Sequence, residues 1–241
     1  MSIDNNSTES INKAQPDITQ NDLSEISLTA LILGIVIGLL VTNIYNFKFI
    51  GLPLNLISLC IFHFLEFYIT AKYNPTQVTT NSYILRNGNE YTAATLFSLA
   101  ECTLNTYLIN KNRIITRKLQ IVMVFGLIMV IIGQTFRSLA MITCGRSFNH
   151  IVQQTKKDDH RLVTNGVYKI SRHPSYFGFF YWSIGSQILC LNYVSAFIFT
   201  IVLWRFFYYR IQTEEKHLLK FFSKDYSDFK QRVGVGIPFK H

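Results

Sequence analysis

Two short stretches set ionisable side chains against long apolar runs. In "YKISRHPSYFGFFYW" (Tyr168 to Trp182), Arg172, His173 and Pro174 stand at the mouth of a hydrophobic segment; in "WRFFYYRIQTEEKHLLKFF" (Trp204 to Phe222), Arg210, Glu214 and Glu215 stand where another ends. Pro174 lacks an N–H and has a fixed φ, which suits the first turn of a helix, while His173 before it is driven toward an extended conformation. A helix start presents unpaired N–H donors and partial positive charge, so it receives a carboxylate or a phosphate. Arg210 and Glu214 are four residues apart and share a helical face. Each cluster also has a plainer use, the first as a headgroup anchor and the second as a surface ion pair worth a few tenths of a kcal/mol. If they converge beside apolar walls, they make a binding site for a charged small molecule next to a greasy one.

The elements that position them are membrane helices. Of 241 residues 49% are hydrophobic, and they fall into blocks. Nearly uncharged runs long enough to cross a bilayer cover roughly Leu28 to Tyr45, Phe49 to Ile69, Thr92 to Asn110, Gln120 to Ile142, Tyr176 to Leu191 and Tyr193 to Tyr209. The expected fold is an all-α integral membrane protein of about six transmembrane helices. Only Leu191 to Tyr193 separates the last two runs, which predicts a tight helical hairpin. The loop from Thr143 to Ser175 and the tail from Arg210 to His241 then share one side of the membrane and together cap the site. The expected organisation is a disordered cytosolic tail over 1–27, helices 1–4 over 28–142 and a catalytic region over 143–241.

With the N-terminus inside, 17 of the 23 Lys and Arg face the cytoplasm, as the positive-inside rule requires. The loop from Lys111 to Lys118, with four basic residues, runs against it. The net charge is +9 although the tail is acidic, so the body is strongly basic and suited to an anionic leaflet rather than to nucleic acid. The four cysteines form no CxxC pair, so neither a disulfide framework nor a metal site is expected. In the first span Gly34 and Gly38 form a GxxxG, read equally as a homodimer face or as packing within the molecule. His63, Glu66, Glu101 and Arg137 fall within spans, where pairing such as Glu66 or Glu101 with Arg137 is the default.

Arg172-His173-Pro174-x-Tyr176-x-Gly178, an apolar hairpin and then Glu214-Glu215 resemble the signature of the isoprenylcysteine carboxyl methyltransferases. "HFLEFYITAKYNP" (His63 to Pro75), "GRSFNHIVQ" (Gly145 to Gln153), "LVTNGVY" (Leu162 to Tyr168) and "VGVGIPF" (Val233 to Phe239) look like further stretches of the fungal enzymes. The resemblance covers nearly everything after Ser27. It implies S-adenosylmethionine as cofactor, held by Gln153, His160, Arg161, Leu162, Val163, Tyr168, His173, Pro174, Ser175, Tyr176 and Glu214. Arg210 would contact the substrate, and Arg210 and Glu214 would be the catalytic pair. A main-chain contact is expected at Arg161. The implied partners are membrane lipid and prenylated CaaX proteins or peptides, among them Ras-type GTPases and a fungal lipopeptide pheromone. The implied location is the endoplasmic reticulum membrane, multi-pass, with both termini cytosolic. No GxGxxG loop follows a predicted strand, which argues against a soluble Rossmann-like methyltransferase. The competing readings are a phospholipid methyltransferase, an NADPH-dependent sterol reductase and a non-enzymatic membrane scaffold or channel.

Overall fold

A computed structural model describes residues 21–112, 115–156 and 160–238, and most of the expected N-terminal tail lies outside them. Among the described residues there are six α-helices: α1 (Leu23–Thr42), α2 (Gly51–Tyr73), α3 (Asn89–Asn112), α4 (Arg117–Cys144), α5 (Pro174–Leu189) and α6 (Tyr193–Arg232), with short 3-10 turns between them. No strand occurs among the described residues. Four of the helices, α1, α2, α4 and α6, are long and apolar enough to cross a membrane. The other two differ from a simple span for separate reasons. α5 has 16 residues and is buried on most faces, whereas α3 is interrupted by Thr, Asn and Glu side chains.

Local chemistry sets the helix ends. Asp22 caps α1, its Oδ1 accepting from the N–H groups of Ser24 at 3.0 Å and Glu25 at 3.1 Å, so the helix begins ahead of Leu28. Pro174 opens α5 as its first helical residue, after an extended-side His173 with φ −125°. α6 lacks a cap of its own. Instead Glu101 of α3 accepts from the N–H groups of Val194 (3.0 Å) and Ser195 (2.8 Å) and from the Ser195 hydroxyl (2.5 Å), satisfying donors a helix start leaves unpaired.

α4 and α5 form the tightest helix pair, running antiparallel with glycines facing backbone. Gly126 and Gly133 of α4 lie seven apart, as do Gly178 and Gly185 of α5. A Cβ added at any of the four would come within 3.0 Å of the opposite helix's main chain. Small residues let the two backbones approach, which is how helices gain contact in lipid. The approach sets Arg137, near the end of α4, beside the start of α5.

α6 runs without interruption from its apolar part through Arg210, Glu214 and Glu215, and breaks only at Ser223, whose φ of 44° and ψ of −112° are non-helical. Beyond that kink the chain returns toward α5. Phe180, Phe207, Ile211, Val235 and Ile237 form one buried cluster joining α5, α6 and the returning segment.

Candidate functional site

The start of α5 is fastened before anything binds to it. Arg172 donates through its backbone N–H to Gly234 O (3.0 Å), through Nε to Glu215 Oε1 (2.6 Å) and through Nη1 to Val233 O (2.7 Å). Lys230 Nζ donates to the other Glu215 oxygen at 2.7 Å, and His173 Nε2 lies 3.3 Å from Oε1. The side chains of Arg172 and Glu215 are 1% and 5% exposed. A buried carboxylate shared by three cationic or hydrogen-bonding partners meets the condition under which burial of charge is tolerated. Glu215 therefore holds the returning segment against α5, and its neighbour Glu214 faces elsewhere.

Beside this clasp is a pocket of about 100 Å³ lined by His160, Arg161, Leu162, Val163, Tyr168, His173, Pro174, Ser175, Tyr176 and Glu214. These are all of the expected cofactor residues but Gln153, which lines an adjoining space of about 50 Å³ together with His160 and Glu214. The Arg161 backbone N–H donates to Ser147 Oγ at 3.2 Å, so its main chain is engaged within the protein. The Tyr168 hydroxyl is held well above its ordinary pKa by burial first, then by the Cys144 thiol beside it, and stays protonated as a donor toward Ala140 O at 3.4 Å.

A larger cavity of about 540 Å³ lies on the other side of Tyr176. Phe62, Phe179, Phe206 and Phe207 make its apolar wall, residues of the segment from Asn74 to Asn87 make a polar rim, and Arg137, His150 and Arg210 face it. Tyr176, Phe148 and Asn149 line both spaces. Arg210 thus lines the larger cavity and not the smaller one, and meets the expected cofactor residues at Tyr176. The plainer reading of Arg210 and Glu214, as an ion pair with each other, finds no such contact among the described residues; both side chains bond to the Tyr176 hydroxyl, which accepts from Arg210 Nε at 2.8 Å and donates to Glu214 Oε2 at 2.5 Å.

Arg137 pairs with Glu66, as one of the two expected pairings had it. Nε reaches Oε1 at 2.7 Å, Nη2 reaches Oε2 at 2.9 Å, and Nη1 donates to Ser175 Oγ at 2.5 Å. Glu101 is committed to α6. Outside the helices, burial and the neighbouring Arg137 lower His150 to about 4, so its ring is neutral at physiological pH. Sequence reasoning gave no role to Phe148, Asn149, Leu218 and Tyr226 of the small pocket, nor to Asn74 and His150 of the large one. The stretches "AKYNP" and "GRSFNHIVQ" carried the family likeness, but no spacing within them signals a ligand.

The sequence profile of the Isoprenylcysteine carboxyl methyltransferase (ICMT) family matches residues 126–220. The Protein-S-isoprenylcysteine O-methyltransferase of Saccharomyces cerevisiae is 49% identical over 226 residues, 93% of this chain and 95% of the relative. The chain belongs to the isoprenylcysteine carboxyl methyltransferase family. The Schizosaccharomyces pombe relative of the same name is 41% identical over 90% of this chain and 95% of its own length. The human one is 43% identical over 76% of this chain and 63% of its own. The fold agrees with the solved structure of the eukaryotic intramembrane Ras methyltransferase isoprenylcysteine carboxyl methyltransferase at a TM-score of 0.80, with 38% identity over 90% of this chain and 77% of that one. The region the family profile matches takes in both faces of Tyr176, from Arg137 to Glu215. Outside it fall Phe62 and the rim from Asn74 to Asn87 of the larger cavity, Glu66 that holds Arg137, Tyr226 of the smaller pocket, and Lys230 with the returning segment that Arg172 clasps.

Proposed function

We propose that this chain uses S-adenosylmethionine to methyl-esterify the C-terminal α-carboxylate of a prenylated cysteine. The observation that carries the reading is the shared wall: Tyr176 lines two cavities, Glu214 opens on the smaller and Arg210 on the larger and partly aromatic one.

The residues around the smaller space fit the cofactor chemically. A carboxylate at Glu214 accepts hydrogen bonds from hydroxyl or amino groups, Tyr168 and Tyr176 give flat apolar surface, and the α5 start attracts a carboxylate. When bound, the cofactor supplies an electrophilic methyl group on a positively charged sulfur. Everything else falls to the chain. The acceptor carboxylate has an ordinary pKa of ~3.5, so it is ionised at neutral pH and needs no general base. Arg210 is suited to fix it, because a guanidinium offers paired donors in one plane. Phe62, Phe179, Phe206 and Phe207 remove the prenyl chain from water at about 0.8 kcal/mol per CH₂ and keep water from the carboxylate. Alignment and desolvation are thus the protein's contribution.

In this reading six helices span the membrane, α5 and α6 form a tight hairpin, and the loop after α4 and the segment after Arg210 cap the site on the cytosolic side. Residues 1–27 form a cytosolic tail, 28–142 the first four spans and 143–241 the catalytic region. Endoplasmic reticulum residence with both termini cytosolic, and Ras-type GTPases and a fungal lipopeptide pheromone as substrates, belong to the same proposal. Homodimerisation through α1 is supported by Gly34 and Gly38, at which an added Cβ meets no atom within 4 Å.

The test is methyl transfer from labelled S-adenosylmethionine in membranes containing the chain. A base-labile methyl ester on N-acetyl-S-farnesylcysteine and none on N-acetylcysteine is expected. Label recovered in phospholipid instead would overturn the reading.

A further inference from the structure

We propose that Tyr176 is a positioning residue whose hydroxyl, interposed between Arg210 and Glu214, keeps the two from pairing with each other. The inference rests on the reading of the two cavities given above. Arg210 and Glu214 are separated by one helical turn of α6, the spacing at which opposite charges close directly. Here they do not. The Tyr176 oxygen accepts from Arg210 Nε and donates to Glu214 Oε2. A hydroxyl can accept from a cation and donate to an anion at the same time, so both charged groups are satisfied without meeting. Arg210 Nη2 is in turn tied to the His150 carbonyl oxygen. With Nε and Nη2 each holding one partner, the plane of the guanidinium is fixed, and the remaining Nη1 and Nη2 N–H groups are left as the paired donors for the larger cavity.

The hydroxyl can hold this position because its ring cannot move. Tyr176 is stacked between His173, with centroids 5.5 Å apart and planes 7° apart, and Phe207, at 5.0 Å and 28°. The Arg210 guanidinium carbon also lies 5.4 Å from the Tyr176 ring centre, within cation–π range. The ring forms a partition and its oxygen acts as a spacer. Without the oxygen, the same ring would let Arg210 and Glu214 close on each other, withdrawing the carboxylate-binding fork from one cavity and the acceptor oxygens from the other.

The test is kinetic and uses the full-length chain in membranes. Tyr176→Phe keeps the ring and its stacking. It is expected to raise KM for N-acetyl-S-farnesylcysteine roughly tenfold and to lower kcat. Glu214→Gln cannot form the ion pair, so adding it to Tyr176→Phe is expected to return the acceptor KM to within about twofold of the Glu214→Gln value. A hydroxyl that only adds bonds to Arg210 and Glu214, without keeping them apart, gives the opposite sign, with the double variant worse than Tyr176→Phe. That result, or an unchanged acceptor KM in Tyr176→Phe, would overturn the proposal. A wild-type chain that forms no ester would instead overturn the function on which it rests.

Discussion

A Cβ placed on Gly178 would lie 2.5 Å from the backbone oxygen of Gly133 and 2.5 Å from the backbone nitrogen of Arg137. The glycine of the Arg-His-Pro-x-Tyr-x-Gly stretch is thus a contact between α5 and α4, and the same contact brings Arg137 to Ser175. Main chain cannot yield as a flexible side chain does. Gly178→Ala is expected to destabilise by about 1–3 kcal/mol, seen as a lowered melting temperature in detergent. Gly34→Ala, where no atom waits within 4 Å, leaves the melting of the monomer unchanged.

Removal of the guanidinium tests the acceptor site. Arg210→Ala is expected to lower kcat/KM for N-acetyl-S-farnesylcysteine on the order of 100-fold, about 2.7 kcal/mol, because the carboxylate loses both charge and orientation. Arg210→Lys keeps the charge without the planar fork and should recover only part of the loss. KM for S-adenosylmethionine should hold in both, whereas Glu214→Gln raises it. Parallel changes in both substrates would show that the two cavities do not divide the work as described.

Glu215 gives a different signature from Glu214, although the two are adjacent. Glu215→Gln removes the buried carboxylate that Arg172 Nε and Lys230 Nζ both hold, at an expected cost of about 3–5 kcal/mol. Lys230 is 40% exposed, so Lys230→Met is expected to cost under about 1 kcal/mol. Melting in detergent separates the two. Below its own melting point Glu215→Gln should still bind S-adenosylmethionine.

His150 makes stability depend on pH in a predictable direction. Its folded pKa is lowered to about 4 from the ordinary 6.5, by burial and then by Arg137. Between those values the unfolded chain takes up a proton that the folded chain refuses, so stability falls as the pH falls. The contribution is complete above pH 6.5 and is lost on approach to 4. A His150→Gln variant should lose less melting temperature than the wild type between pH 7.5 and pH 5.

The membrane class and the start of α5 were legible in the sequence because they depend on local features: apolar runs of span length, and Pro174 after His173. The start of α1 was not, because the apolar run begins at Leu28 whereas the Asp22 cap begins the helix at Leu23. The assignment of Arg210 and the cofactor residues came from the family resemblance, and its spatial division did not. Chain order puts Arg210 and Glu214 on one face as a pair. Their separation depends on Tyr176, 34 and 38 positions away, which no periodicity connects to them. The glycine seam was not read from the sequence: Gly126, Gly133, Gly178 and Gly185 each pass for an ordinary helix glycine until the two helices are laid together. Whether Arg137 would take Glu66 or Glu101 was open for the same reason: both carboxylates lie in spans, and only the tertiary arrangement commits one of them to α6.

That commitment makes the sixth helix dependent on the third. The Val194 and Ser195 N–H groups that α6 cannot satisfy from its own sequence are bonded by a carboxylate 93 residues or more upstream. In hydrocarbon an unpaired backbone donor costs several kcal/mol. The start of α6 is therefore fully bonded only once α3 lies beside it. A change at Glu101, which lines neither cavity, would be expected to show itself first as poor yield of folded protein and only afterwards as lost catalysis.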